Sequence, residues 1–323
     1  MLHSQTLWML AGAAILAGSL IYHNRSPQAQ AAESGGSPSS KPAPIERIEY
    51  LPARELAKLV NKEIDESSGL TAGRRNKGVL WTHNDSGDRP QFFAINYAGA
   101  DLGCVTLIGA GARDWEDICS FTINRRHFLM LGDFGDNGQT RLDCRLYVVA
   151  EPLLNTARRG AKLKARCAMT VPFGYADGPR NCESVAVDST TRTIFLVSKQ
   201  FGLKCKVYAM RLPNRSPKKP LIAKAIATLT IPTTTAMDIS TDGLRAVILT
   251  YGNAYEYVRR TKETWAAGFS RAPRILRMPR RRQGESICYG HDGRSLYLTS
   301  EKLPTPLIQV PAKEPAATPA LKK

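Results

Sequence analysis

Three glutamates recur in short segments that are far apart in the chain: Glu116-Asp117-Ile118, Glu183-Ser184-Val185 and Glu285-Ser286-Ile287. Ser68-Gly69-Leu70 and Met237-Asp238-Ile239 extend the series to five. Two denser polar stretches accompany them, Asn84-Asp85-Ser86-Gly87-Asp88 and Gly132-Asp133-Phe134-Gly135-Asp136-Asn137. Carboxylates mixed with Asn, Ser and backbone carbonyls are hard oxygen donors, suited to Ca²⁺ or another hard divalent cation rather than zinc or copper. On this chemistry the candidate metal ligands are Asp85, Asp117, Asp133, Asp136, Glu183 and Glu301. Glu116 and Glu285 are candidates for positioning a water in catalysis, and His83, Asn84, Arg180, Lys199 and Lys302 for contacting a ligand.

Plainer roles compete with each assignment. Asp, Asn and Gly are what tight turns require, and neither dense stretch has the EF-hand spacing. A turn does not call for Glu, however, so recurrence of Glu at one repeat position is the stronger sign. Carboxylates at the start of an inner strand could also accept backbone N–H groups from a neighbouring unit and hold units together. Crowded carboxylates repel, so they need raised pKa values, a cation or an arginine, and Arg113 and Arg180 are the nearest arginines in sequence. Trp115 reads as a wedge between units.

Other chemistries lack their residues. The five histidines are scattered, and there is no Gly-x-Ser-x-Gly elbow or phosphate-cradling glycine loop. The seven cysteines stand singly without a Cys-x-x-Cys pair, which argues against a zinc or redox motif. Most lie in strand-like runs, where a small apolar thiol packs well. Export would permit disulfides, but an odd count leaves at least one thiol unpaired within the chain.

The elements that position the acidic residues are short strands. Each of the five segments is followed by a β-rich run (VLWTHND, HFLMLGD, TIFLVSKQ, AVILTYGN, SLYLTSEK) and then by another (FFAINY, RLYVVAEP, KVYAMRLP, AYEYVRR, LIQVP). CVTLIG, CAMTVPF, IATLTIP and RILRMP supply a fourth strand ahead of the last four segments. Four short strands per unit, repeated at intervals of roughly 45 to 65 residues, predict an all-β propeller. Five four-stranded blades fit best, and six remain possible if residues 138–170 contain a degenerate unit. The fifth unit lacks a strand, which predicts closure by an N-terminal strand at residues 45–51, with a short helix over 52–63. In an antiparallel hairpin the start of one strand lies beside the end of the next. The opening motifs and the tails of the following strands therefore converge on one mouth of the central channel.

The N-terminal run LWMLAGAAILAGSLIY is followed by Ala29-Gln30-Ala31, a small-x-small pattern of export signals. Residues 1–31 read as a signal peptide or, without cleavage, a membrane anchor; 32–44 as a flexible linker; 45–311 as the propeller; 312–323 as a disordered tail. The expected localisation is the periplasm, envelope or extracellular space. The chain has 323 residues, 43% hydrophobic, with a net charge of +17. That charge favours an anionic or phosphorylated small molecule or an envelope polymer, with a protein partner as a further possibility. Basic residues are not interleaved with aromatics, which argues against nucleic acid, and contact with a membrane is expected only through the N-terminal segment.

The set Glu66-x-x-Gly69-Leu70, Trp81-x-x-Asn84-Asp85-Ser86-Gly87, Asp114-Trp115-Glu116-Asp117-Ile118, Gly132-Asp133-Phe134-Gly135-Asp136-Asn137, Asp177-Gly178-Pro179-Arg180-Asn181-Cys182-Glu183, Asp238-Ile239-Ser240 and Gln283-Gly284-Glu285-Ser286-Ile287 resembles a group of exported bacterial β-propeller proteins. These are similar to the phytase-like family described by its esterase-like activity. The resemblance covers residues 64–310 and implies a propeller whose acidic channel mouth binds a cation, Ca²⁺ by analogy, and a phosphate ester. The chain departs from that pattern with Met237 where other units have Glu and Lys199-Gln200 where others have acids. Two functions follow: an envelope binding or structural protein with a divalent-cation site, or a metal-dependent phosphoesterase.

Overall fold

The computed structural model describes residues 47–87 and 89–314. The expected signal or anchor, the linker, Asp88 and most of the tail lie outside the described residues. Nearly every described element is a strand, joined by turns rich in Gly, Asp and Asn.

Strand β1 (Arg54–Lys58) precedes a first run of β2 (Ser67–Ala72), β3 (Val79–Asn84), β4 (Gln91–Asn96) and β5 (Asp101–Ile108). The chain continues through β6 (Trp115–Ile123), β7 (Arg126–Asp133), β8 (Cys144–Ala150), β9 (Ala161–Arg166) and β10 (Met169–Tyr175). Next come β11 (Cys182–Asp188), β12 (Thr193–Ser198), β13 (Cys205–Arg211) and β14 (Leu221–Leu229). The fourth run is β15 (Thr234–Ile239), β16 (Arg245–Thr250), β17 (Ala254–Val258) and β18 (Arg274–Leu276), interrupted by helix α1 (Trp265–Phe269). The last strands are β19 (Ser286–Tyr289), β20 (Leu296–Thr299) and β21 (Pro306–Val310).

Hydrogen bonding sorts these strands into antiparallel four-stranded runs: β2-β3-β4-β5, β6-β7-β8-β10, β11-β12-β13-β14, β15-β16-β17-β18 and β19-β20-β21-β1. The first strands form a closed ring in which β2 packs on β6, β6 on β11, β11 on β15, β15 on β19 and β19 on β2. A sheet architecture closed on itself in this way is a β-propeller. Inner strands read as continuous buried runs, such as VLWTHN in β3 and RAVILT in β16, because neighbouring runs cover both their faces. Outer strands alternate, as AKLKAR does in β9.

The hydrophobic core lies between neighbouring runs. Trp81, Phe92, Trp115 and Leu131 fill the space between the first two, and Phe134, Phe173, Cys182 and Tyr208 that between the second and third. Ile248 and Trp265, then Leu249 and Ile287, then Leu70 and Phe93 occupy the remaining three. Trp115 is thus a wedge, and its indole donates to Gly111 O at 2.9 Å. All seven cysteines are free thiols, five of them buried.

The structure corrects two local expectations. The closing strand is β1, inside the stretch expected to be helical, while Tyr50 contributes only a single bridge to Ala312. Arg54–Lys58 pairs antiparallel with Pro306–Gln309. The unpaired backbone edge of β21 supplies ready partners, and that demand outweighs the modest helix preference of Glu, Leu, Ala and Lys. Residues 138–170, in turn, form no unit of their own. They carry β8 and then β9, which adds to the first run by pairing parallel with β5. A parallel contact of Phe173–Tyr175 with Leu221–Ala223 also joins the second and third runs into one eight-stranded sheet.

Candidate functional site

Register decides which side chains reach the mouth. At the start of four first strands, three residues advance against two on the partner: Ser67 lies opposite Asn84 and Leu70 opposite Thr82, with the same step at Trp115/Ile118, Cys182/Val185 and Thr234/Met237. These are β-bulges, which re-aim a side chain near a sheet end. The second residue of the bulge is Ser68, Glu116, Glu183 or Thr235, and Glu285 holds that place in the last run, just ahead of Ser286 opposite Thr299. Backbone bonds repeat the pattern: Asp85, Phe134, Lys199 and Glu301 donate their amides to the carbonyls of Glu66, Asp114, Asn181 and Gln283.

This register corrects the fourth repeat. Met237 takes the aliphatic place of Ile118, Val185 and Ile287, and the residue at the Glu place is Thr235, buried and donating to Gly284 O at 2.9 Å. The apolar positions facing the inter-run core set the pairing, so Asp238 is not a marker of it.

At the mouth, the carboxylates of Asp85, Glu285 and Glu301 approach within 4.8 Å of one another, as do those of Asp85, Asp114 and Glu116. Asp85 belongs to both triplets. Lys199 joins Glu183 to this cluster: its ammonium pairs with Glu183 and lies 3.8 Å from Glu285 Oε1. It also donates to the Tyr251 hydroxyl at 2.8 Å, and that hydroxyl donates to Glu285 Oε1 at 2.7 Å. Lys302 sits half-exposed at the rim, 3.5 Å from Glu301 and 3.6 Å from Glu66. Gly135 passes so close that a Cβ there would overlap the carboxylates of Glu116 and Asp114.

Electrostatics follow from burial and crowding. Removal from water pushes Asp85 up to about 6, with added repulsion from Glu285, Asp114 and Glu66. Glu183 rises to about 8 through burial, and Lys199 offsets only part of that. Glu301 also rises to about 8, through burial and then its hydrogen bond to Glu285. Burial, with Glu183 next, raises Glu116 well above the usual carboxylate range. Six carboxylates thus crowd one mouth with Lys199 on two of them and Lys302 on a third, and protons or a cation must balance the rest.

Other sequence candidates lie outside both triplets. Asp117 is fully buried, and its carboxylate accepts the amides of Ile118 and Val185 at 2.8 Å and of Met237 at 3.3 Å. It therefore ties β6, β11 and β15 together. Asp238 does the same for β15 and β19, accepting from Ile239 at 2.8 Å and Tyr289 at 2.9 Å. Asp133 is paired with Arg141 at 2.5 Å, and Asp136 accepts the amides of Thr140 at 3.0 Å and Arg141 at 2.8 Å. Both carboxylates organise the loop after β7. Arg180 binds Asp177 at 3.2 Å and Tyr208 at 3.2 Å, and Arg113 pairs with Asp143 at 3.1 Å. Lys199 contacts the cluster directly, whereas Arg113 acts on Asp114 only through its charge, as Arg141 does. His83 is buried edge-on to Trp115 with Nδ1 2.7 Å from Asn84 O, and the Asn84 amide donates to Glu63 O at 2.6 Å.

Asp114 and Tyr251 join the site although sequence did not select them as ligand groups. Asp114 stands two residues before its Glu, as Glu66 stands before Ser68, and Tyr251 follows β16 as Asp85 follows β3. Repeat alignment by strand pairing reveals both.

No family model matches the chain, and no curated relative matches it. Among solved structures it is similar to a chain of a nidogen–laminin complex, with 12% identity, 73% of each chain covered and a TM-score of 0.44. It is also similar to a protein of Xanthomonas campestris described as a gluconolactonase, with 10% identity, 84% of this chain and 97% of the other covered, and a TM-score of 0.47. The propeller architecture itself is read from this chain's own closed ring of strands.

Proposed function

We propose that the mouth of the ring is a hard divalent-cation site, for Ca²⁺ by its donor chemistry, through which an exported propeller binds an anionic ligand. The observation that carries this reading is the crowding of carboxylates: Asp85 approaches Glu285 and Glu301 on one side and Asp114 and Glu116 on the other within 4.8 Å, while among the described residues the nearest ammonium groups are Lys199, on Glu183 and Glu285, and half-exposed Lys302, on Glu301. The donors within reach of one another are all carboxylate oxygens, which fit such an ion. When bound, the ion supplies positive charge and open coordination positions for ligand oxygens. The chain's residues do the remainder. Lys199 and Tyr251 orient Glu183 and Glu285, the bulges aim the glutamates inward, and Gly135 leaves room for Glu116 and Asp114.

A second reading, a metal-dependent phosphoesterase, is favoured by Glu116. Burial raises its carboxyl well above the usual carboxylate range beside Asp85, which suits it to proton transfer to a leaving oxygen. Fold likeness does not choose between the readings.

Calorimetric titration of Ca²⁺, with Mg²⁺ for comparison, into the metal-stripped protein tests the site. Saturable binding with a raised melting temperature supports it; no binding and no shift overturn it. Glu116→Gln then separates the two readings. Turnover of phosphate esters in the wild type that this variant abolishes identifies an enzyme, whereas intact ion binding without turnover identifies a binding protein.

A further inference from the structure

Beside the acidic mouth lies a cleft of about 310 Å³ whose lining includes the cations Lys58, Arg280, Arg281, Arg282 and Lys302 and the carboxylates Glu55 and Glu301. Two of its cations are already occupied: Lys58 pairs with Glu55 at 2.8 Å, and Lys302 lies near Glu301 and Glu66. The three arginines are not. Among the described residues none of them is in an ion pair. Arg281 is the most constrained. Its guanidinium donates only to carbonyls, those of Pro279 at 2.8 Å, Thr250 at 3.1 Å and Gly252 at 3.3 Å. Its buried Nε has no acceptor, and the side chain packs directly over the Gly284 backbone, where a Cβ would displace it. A half-buried guanidinium without a counterion leaves its positive charge uncompensated in the cleft, and the planar forks of exposed Arg280 and Arg282 on either side of it match oxyanion geometry.

We propose that Arg280, Arg281 and Arg282 form a subsite for a tetrahedral oxyanion, phosphate or sulfate, contiguous with the acidic mouth through Glu301. The chemistry divides along the cleft: guanidinium groups hold one oxyanion of a ligand, and the carboxylate cluster faces its next portion. Only the second half of that statement rests on the cation reading above. Burial holds Arg281 down to about 10, still charged at neutral pH, in keeping with this role.

The test uses the full chain in EDTA at constant ionic strength, titrated with inorganic phosphate and separately with sulfate. Saturable binding is expected, weakened at least about tenfold in Arg280→Gln/Arg282→Gln, a double variant of two exposed side chains that leaves the Arg281 packing in place. Lys164→Gln/Arg166→Gln on β9 removes the same charge elsewhere and should bind like the wild type. Saturable binding of phosphate but not sulfate, or of sulfate but not phosphate, narrows the group and still supports the subsite. Absence of saturable binding, equal loss in both double variants, or phosphate binding that appears only with Ca²⁺ each overturns it. Ca²⁺ titration of Arg280→Gln/Arg282→Gln separates the two claims. Unchanged Ca²⁺ affinity with lost phosphate binding assigns the effect to the arginines. Arginine-dependent phosphate binding in a protein that binds no Ca²⁺ removes the cation reading and leaves the subsite standing.

Discussion

Replacing Asp117 by alanine separates the two roles that acidic residues play in this ring. Its carboxylate accepts three backbone amides, one on its own strand and one on each of two other first strands. Removing it orphans three buried N–H groups, each worth about 1–3 kcal/mol when left unsatisfied. Partial relaxation and water entry reduce the sum, so a loss of about 3–6 kcal/mol is expected. In a domain of this size each kcal/mol moves the melting temperature by about 2–4 °C, which sets the expected fall at about 6–24 °C. Asp117→Asn retains one acceptor oxygen and should fall by roughly half as much, keeping the comparison measurable if the alanine variant does not fold. Thermal melting of metal-stripped protein and calorimetric Ca²⁺ titration are the assays. Ca²⁺ affinity should stay within about threefold of wild type, since Asp117 lies outside both triplets. A fall of less than about 3 °C in Asp117→Ala, or a Ca²⁺ affinity that collapses in either variant, refutes the reasoning.

Further expectations follow from the mouth. Glu183 and Glu301 have folded pKa values raised to about 8 from 4.5, so their contribution to stability is present below about 4.5 and is lost as pH rises toward 8. Metal-stripped protein should therefore melt lower at pH 8.5 than at pH 5.5, and saturating Ca²⁺ should abolish that decline. A flat profile without the ion contradicts the crowding. Lys199→Met removes the largely buried ammonium between Glu183 and Glu285 and should destabilise the stripped protein by about 3 kcal/mol, as breaking a buried pair does, with Ca²⁺ recovering most of the loss. Gly135→Ala pushes against flexible carboxylate ends rather than backbone. It should leave the melting temperature within a few degrees of wild type while weakening Ca²⁺ binding about tenfold.

Much of the architecture is legible in the residues. The recurrent Glu-x-aliphatic segments and the β-rich runs after them mark the hairpins, and antiparallel geometry then sends Glu116, Glu183, Glu285, Asp85, Lys199 and Glu301 to one face. Sequence could not sort glue from cluster. Asp117 and Glu116 are adjacent, yet the bulge sends one toward backbone amides and the other to the mouth. Asp133 and Asp136 look like ligands until Arg141, a few residues on, claims the loop. Register in the fourth repeat hides for a similar reason: Asp238 imitates the motif, whereas the buried Met237 and Thr235 determine it. The closing strand was illegible because Arg54–Lys58 has no strand signature of its own and owes its conformation to the edge it meets.

That closure has a topological consequence. Tyr50 bridges Ala312, and the amide of Lys313 donates to Glu49 O at 2.7 Å, so the chain's entry to and exit from the ring are about one inter-strand spacing apart. A circular permutant that links these points with a few flexible residues and opens in the exposed turn before β9 would keep every strand pair. The clasp between β1 and β21 would become a local hairpin, no longer a contact between distant ends. Folding limited by that late, long-range pairing would then accelerate without any change in the sheet it completes.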